Sequence, residues 1–420
     1  MRCCGLLLNS AGVGIVSSII AWLDASREDQ RRMREIVNLF AQSESRDELG
    51  IGQVRDAFSD SLFPGTSTLH TRARYLLFVP WCFIKAAANG SSGARGERRV
   101  EDNERALIAG LLELGATDGL IGQLAGVAVK TLPSTLYWGA LRQYGILQVA
   151  ELLDARGLTA SPDPDQEELA ERAGSAGSPT LPSIPAGFPR HPETGFELSR
   201  AEASWLQERM LGGTEGSLLH HLASDGNRPQ AKSNAPWDDP VCHTPPSGVR
   251  EILEHARLFS LGVQGAAFLY NFMIAKCYEK AGHTKVVDPM ERYRDRLQEW
   301  IQECHSQGSA LSVWDRRAFW RHILGVNPQV RPATRAFLTT WFDRVCSLEI
   351  DSLADDEALR RLVASRERVQ KGSQSRLTND RLLASWSGAS GTGRLTYRWD
   401  QVNRIVQDLH DGLETTNAAS

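Results

Sequence analysis

Residues 247–281, SGVREILEHARLFSLGVQGAAFLYNFMIAKCYEKA, constrain this chain more than any other stretch. Apolar positions recur there at helical spacing and then spread around most of the circumference, which predicts one long helix whose middle must be covered on nearly every side. A bilayer could cover it, but Arg257, Gln264 and Asn271 fall inside the apolar window, and polar groups are costly in hydrocarbon. The expectation is a buried central helix of an α-domain, with no membrane involved.

Other helical patterns surround it. Met33, Ile36, Val37 and Phe40 form one face of a surface helix over residues 26–40, capped by Ser26. Val54, Phe58 and Leu62 form a second stripe, Pro64-Gly65 breaks the chain, and residues 75–84 are apolar enough for a buried helix. Later patterns cover residues 290–305, 315–324, 332–348 and 355–369, with at most a short strand before a last helix. The predicted class is mainly α. At 420 residues, with 41% hydrophobic and 23% charged residues, the chain is an ordinary globular protein of two or more parts.

Composition marks the boundaries. Seven prolines between residues 157 and 195, with clustered Gly and Ser, read as a linker, pinned only in its proline-rich second half. This divides the chain into an N-terminal helical domain (18–154), a linker (155–195), a C-terminal α-helical domain (196–412) and a disordered tail (413–420). Residues 5–23 carry no charge and resemble a leader, but one arginine, three glycines and no A-x-A site argue for a misassigned start near Val16, with residues 1–17 extra. Residues 89–99, NGSSGARGERR, read as a flexible loop.

Residues 103–147 have the cadence of a helix-turn-helix: a helix over 106–114, a second over 120–124, a turn at Gly126 and a third opened by Pro133. The third would present Ser134, Thr135, Arg142 or Gln143 to base edges. Charge argues otherwise, because residues 101–150 carry three basic groups against five acidic ones. The alternative is a helical subdomain with Trp138 and Leu141 packed inside. Positive charge lies upstream, where residues 71–99 hold Arg72, Arg74, Lys85, Arg95, Arg98 and Arg99 against Glu97. Arg72, Arg74, Arg95, Arg98 and Arg99 are therefore the candidate phosphate contacts, with Thr66 and Ser67 of the PGTST turn as anion donors and Lys130 and Arg142 as outlying cations. Against this stands pairing of Arg72 and Arg74 with acids such as Asp56 and Asp60, the Arg95–Arg99 loop being merely solvated.

Known chemistries find little support. There is no GxxxxGK[ST], HExxH or GxSxG, and no lysine has Asp or Glu two positions before it. The HTK at residues 283–285 lacks the aspartate that an HxK phosphodiesterase motif needs, with Met290 in its place. Seven cysteines at irregular spacing indicate no disulfide framework and no zinc site; a reduced cytoplasmic protein without cofactor or metal is expected. His220-His221 and Asp238-Asp239 read as loop residues.

The phrases SIIAWLDAS (18–26), RDELGIGQVRDAFSDSLFPGTSTLHTRARYLLFVPW (46–81) and LIGQLAGVAVKTLPSTLYWGALRQYGIL (120–147) resemble an uncharacterised bacterial family, a domain-of-unknown-function group. GFPRHPETGF and LSRAEASWLQERM are also similar, so the resemblance covers most of the chain. It implies no established activity and no catalytic residue. Its implied context is a multi-gene phage-defence island. The expected function is a non-enzymatic accessory protein that contacts nucleic acid or other proteins of such a system. The alternative is a metal-dependent enzyme acting on nucleic acid with a site at Asp56, Asp60, Arg72 and Arg74.

Overall fold

A computed structural model describes residues 47–88, 93–146 and 181–415. The expected helix over 26–40, the doubtful leader and the first half of the expected linker lie outside these residues. Fourteen α-helices and no strand occur among the described residues. They are α1 (Gly52–Leu62), α2 (Tyr75–Ala87), α3 (Gly93–Glu113), α4 (Pro133–Gln143), α5 (Arg200–Gly213), α6 (Leu218–Ala223), α7 (Ser247–Lys280), α8 (Pro289–Ser306), α9 (Gly308–Val313), α10 (Arg316–Val326), α11 (Pro332–Cys346), α12 (Glu357–Lys371), α13 (Asp380–Ala384) and α14 (Trp399–Glu414).

The long apolar helix is the axis of the fold. α7 packs against α1, α8, α10, α11 and α12, and 83% of its most apolar window is buried inside the protein, as expected for a core helix. Two glycines let large rings reach its backbone. A Cβ at Gly262 would overlap the Phe342 ring, and one at Gly265 would overlap Trp300. The indoles also bond to the helix: Trp300 Nε1 donates to Leu261 O at 2.7 Å and Trp341 Nε1 to Gly262 O at 2.8 Å. Burying an indole with its N–H satisfied keeps its apolar area without stranding a donor. Asn271, fully buried in α7, exchanges hydrogen bonds with the backbone of Ser390, which fixes the loop before α14.

The expected split into two halves is not a boundary of the packing. The described residues belong to one compact unit, in which α1 of the expected N-terminal half packs on α7 and α10 of the expected C-terminal half. The proline-rich stretch from residue 181 is part of it: Trp81 Nε1 donates to Pro182 O, and Phe188 packs against Trp81 and Phe78. Rigid prolines lose little entropy on docking, so a sequence that reads as a spacer can also lie down on a hydrophobic surface.

Two local expectations change. Residues 93–99 belong to α3 rather than to a loop, because Val100 and the residues after it pack on α2 and Asn103 Nδ2 donates to Cys82 O. Tertiary packing overrides the weak helix propensity of the Gly-rich start. The expected helix over 120–124 is absent; turns run to a single 3-10 turn at Gly126–Ala128, with positive φ at Gly119, Gly122 and Gly126. The three-helix pattern expected for this segment is therefore not seen among the described residues.

Candidate functional site

α4 is no recognition helix. Ser134 and Thr135 are buried, and Ser134 donates both its amide and its hydroxyl to the Glu104 carboxylate at 2.6 and 2.8 Å. Only Arg142 and Gln143 of the expected base-reading set are exposed, at the far end of the helix. Lys130 is exposed as well.

The basic segment upstream turns largely inward. Arg72 forks onto Asp408 with Nε and Nη2 at 2.9–3.1 Å, and its guanidinium lies 5.0 Å from the Phe196 ring centre. Arg74 is buried; it donates to Thr194 Oγ1, Gly195 O and Glu202 Oε1 at 2.6–2.8 Å. Glu202 is itself half of a capping box with Ser199 at the start of α5, so Arg74 ties α2 to that helix end. Both guanidiniums are thus engaged by carboxylates of distant helices. The Thr66 hydroxyl donates to Phe63 O and Ser67 Oγ accepts the Leu69 amide, which makes PGTST a self-satisfied turn. Arg95 and Arg98 are exposed on α3, and Arg99 is half-buried.

The expected catalytic quartet is not assembled. Asp56 pairs with Arg55 and Asp60 with Arg398, each at 2.9 Å, while Arg72 and Arg74 bind other acids. Among the described residues no group of three or more His, Cys, Asp or Glu is placed to hold a metal. The five described cysteines are free thiols, and burial pushes Cys82, Cys242 and Cys304 up, away from thiolate reactivity.

A serine–histidine contact does occur. Ser61 Oγ lies 3.0 Å from His322 Nε2. The hydroxyl already donates to Ala57 O at 2.7 Å, so the imidazole donates to Ser61 instead of accepting its proton. That is the reverse of what a nucleophilic serine requires. His220 and His221 bind the Leu211 and Val241 carbonyls, and Asp239 closes a turn by accepting from Gln230, Ser233 and Val241. These are architectural. A polar depression of about 440 Å3 beside Arg72 is lined by the Arg72–Asp408 and Arg404–Asp118 pairs and by Asp400, so it carries one more carboxylate than guanidinium and does not suit an anion.

The surface that stands out is one the motifs did not indicate. Between α10 and α11 lies a cleft of about 640 Å3, within the roughly 300–1,000 Å3 typical of ligand sites. Its floor is aromatic. Trp314, Phe319 and Phe342 are buried there, with ring centres 5.0 Å apart for Trp314–Phe342 and 5.2 Å for Trp314–Phe319. Its wall is the half-buried Trp320, edge-on to Phe319 at 4.8 Å. Its charged residues are Arg316, Arg317, Arg321 and Arg335 with Asp315 and Asp343, a net positive rim.

Local sequence explains the arrangement. Asp315 caps α10 by accepting the amides of Arg317 and Ala318 at 2.9 and 3.0 Å, and those two bonds hold its carboxyl below the usual range. Phe319 and Ile323 then face the core while Arg317 and Arg321, one turn apart, face outward. Arg316 pairs with Asp343, whereas Arg317, Arg321 and Arg335 make no salt bridge among the described residues. Arg335 instead rests its guanidinium over the Trp320 ring, 5.8 Å from the centroid. From Trp314 to Arg335 the chain holds five arginines, and Asp315 is its one acid. A count of charge over this window, with tryptophan beside arginine in FWRH, was the signal available in the sequence.

A search of the curated proteins gives no match, and neither does a search of the solved structures. A family model does match, over residues 17–412, and it spans both the proline-rich stretch and the α10–α11 cleft. The chain belongs to this family, described as a family of unknown function, DUF6361.

Proposed function

We propose that this protein is a nucleic-acid-associated accessory protein of the cytoplasm, that it binds an anionic strand at the α10–α11 cleft, and that it works with other proteins of a multi-gene, defence-type system. The observation that carries the reading is the coincidence, in one cleft, of a half-buried indole and three guanidiniums that make no salt bridge among the described residues, beside two carboxylates engaged elsewhere. Arginine suits phosphate because its planar fork can donate two bonds to one anion and it stays charged throughout the accessible pH range. Contacts of this kind serve binding, and the two carboxylates at the cleft are already engaged, Asp315 in capping α10 and Asp343 in pairing with Arg316. The exposed Arg95 and Arg98 would add a second, weaker electrostatic contact if a long strand reached α3.

The test is binding of labelled single-stranded and duplex DNA across a salt series, with an Arg317→Ala/Arg321→Ala variant beside wild type and an Arg95→Ala/Arg98→Ala variant as control. Salt-sensitive binding that the α10 variant weakens at least tenfold is the expected result. Absence of binding at low salt, or binding that only the α3 variant weakens, overturns the reading.

A further inference from the structure

The α10–α11 cleft combines two chemistries that a duplex cannot satisfy together. Guanidiniums on its rim, Arg317, Arg321 and Arg335, would neutralise phosphates of either a single or a double strand. Its aromatic wall and floor ask for something else. Trp320 is half-buried beside Arg335, and behind it Phe319 and Phe342 make the cleft bottom apolar. A flat, weakly polar group that carries an anion nearby fits such a site, and a nucleobase joined to its phosphate is that group. In a duplex the base faces are stacked on one another and withheld. In a single strand they are free to stack on an indole or a guanidinium plane.

Resting on the nucleic-acid reading above, we infer that the cleft takes an unpaired nucleotide of a single strand, with its base against Trp320 and Arg335 and its phosphates against Arg317 and Arg321. Arg335 would then sandwich the base or slide aside from the indole to admit it; its guanidinium is exposed and has no acid holding it. The cleft contains no ordered set of side-chain amides that would read one base edge, so the preference is for a strand state rather than for a sequence. An acidic peptide would meet the arginines but offers no flat ring to the indole, so it fits half of the site.

The decisive comparison uses the full chain and needs no variant. A thymidine oligonucleotide of about 20 nucleotides, the same backbone made abasic, and a duplex of the same length are titrated at one low salt concentration. The expected result is binding of the thymidine strand about tenfold tighter than of the abasic strand, the effect of one stacked base, and tighter than of the duplex. Trp320→Leu, which keeps an apolar side chain of similar reach, should remove the difference between thymidine and abasic strands while leaving the salt dependence. Equal binding of all three ligands overturns this inference and leaves the phosphate-binding reading standing. Failure of all three to bind overturns both. Displacement of the thymidine strand by polyglutamate of equal charge at equal concentration also overturns the inference and identifies an acidic protein segment as the partner class.

Discussion

Arg72 and Asp408 meet across 336 positions of sequence, with Nε and Nη2 of the guanidinium on the carboxylate and the Ala73 amide on the same carboxylate at 2.8 Å. The contact closes α14 onto the entry to α2. Burial holds the Asp408 carboxyl above its ordinary value in spite of these donors, so the ionised form depends on them. Arg72→Ala should therefore destabilise the fold by about 3 kcal/mol, because it strands a partly buried carboxylate. Urea unfolding checks this as a lower midpoint with an unchanged slope. An Arg72→Ala protein of wild-type stability that had lost only ligand affinity would make Arg72 a surface contact instead.

The rim of the α10–α11 cleft should behave in the opposite way. Arg317 and Arg321 are exposed and carry no salt bridge among the described residues. Replacing both with alanine should leave stability within about 0.5 kcal/mol while the slope of log affinity against log salt becomes shallower by about 1.5. Thermal melts and the salt titration, run on one preparation, separate the two effects.

Two glycines of α7 make a prediction about the core. Gly262→Ala and Gly265→Ala place a methyl inside the Phe342 and Trp300 rings, and each should cost about 1–3 kcal/mol by overpacking. Gly248 lies in the same helix with open space at its Cβ, so Gly248→Ala should be neutral or stabilising by about 0.5–1 kcal/mol. Melting temperatures of the three variants test whether the ring contacts, rather than glycine's flexibility, set the effect.

His70 links stability to pH. It is buried, stacked on Tyr137 with ring centres 4.2 Å apart, and its Nε2–H donates to Leu136 O at 3.0 Å. Burial, with the nearby Arg398 charge, lowers its pKa from 6.5 to about 4. The unfolded chain thus takes up a proton below pH 6.5 that the folded chain refuses until about pH 4. Stability from this group is complete above pH 6.5 and is lost as pH falls towards 4, by about 3 kcal/mol in all. His255 and His322, also lowered by burial, add loss in the same direction. Unfolding midpoints between pH 7 and 4.5 should fall less steeply in His70→Gln than in wild type.

Helix positions were legible where a periodic apolar face coincided with capping residues. The patterns at 290–305, 315–324, 332–348 and 355–369 match α8, α10, α11 and α12 to within a few residues. Asp315 and Asp356, which accept amides at the starts of α10 and α12, mark those ends in the sequence as well. The misreadings had local causes. Glycines at 115, 119, 122 and 126 take positive φ and break up the stretch where a short helix was expected, while packing on α2 holds the Gly-rich start of α3 in a helix. Composition alone cannot weigh a glycine that bends the chain against one that merely fails to oppose a helix.

The candidate site was legible only as charge and ring content. Arginines at 72 and 74 read as available cations, because no acid lies within ten residues of either one to show where its partner would be. Sequence by itself determined the helical class, the identity of the helix that must be buried and the absence of familiar catalytic motifs, since periodicity and motif spacing are properties of short windows. Tertiary structure decided which cations face solvent. Arg72 reaches Asp408 over 336 positions and Arg74 reaches Glu202 over 128, and pairings at that range are set by how the helices pack around α7.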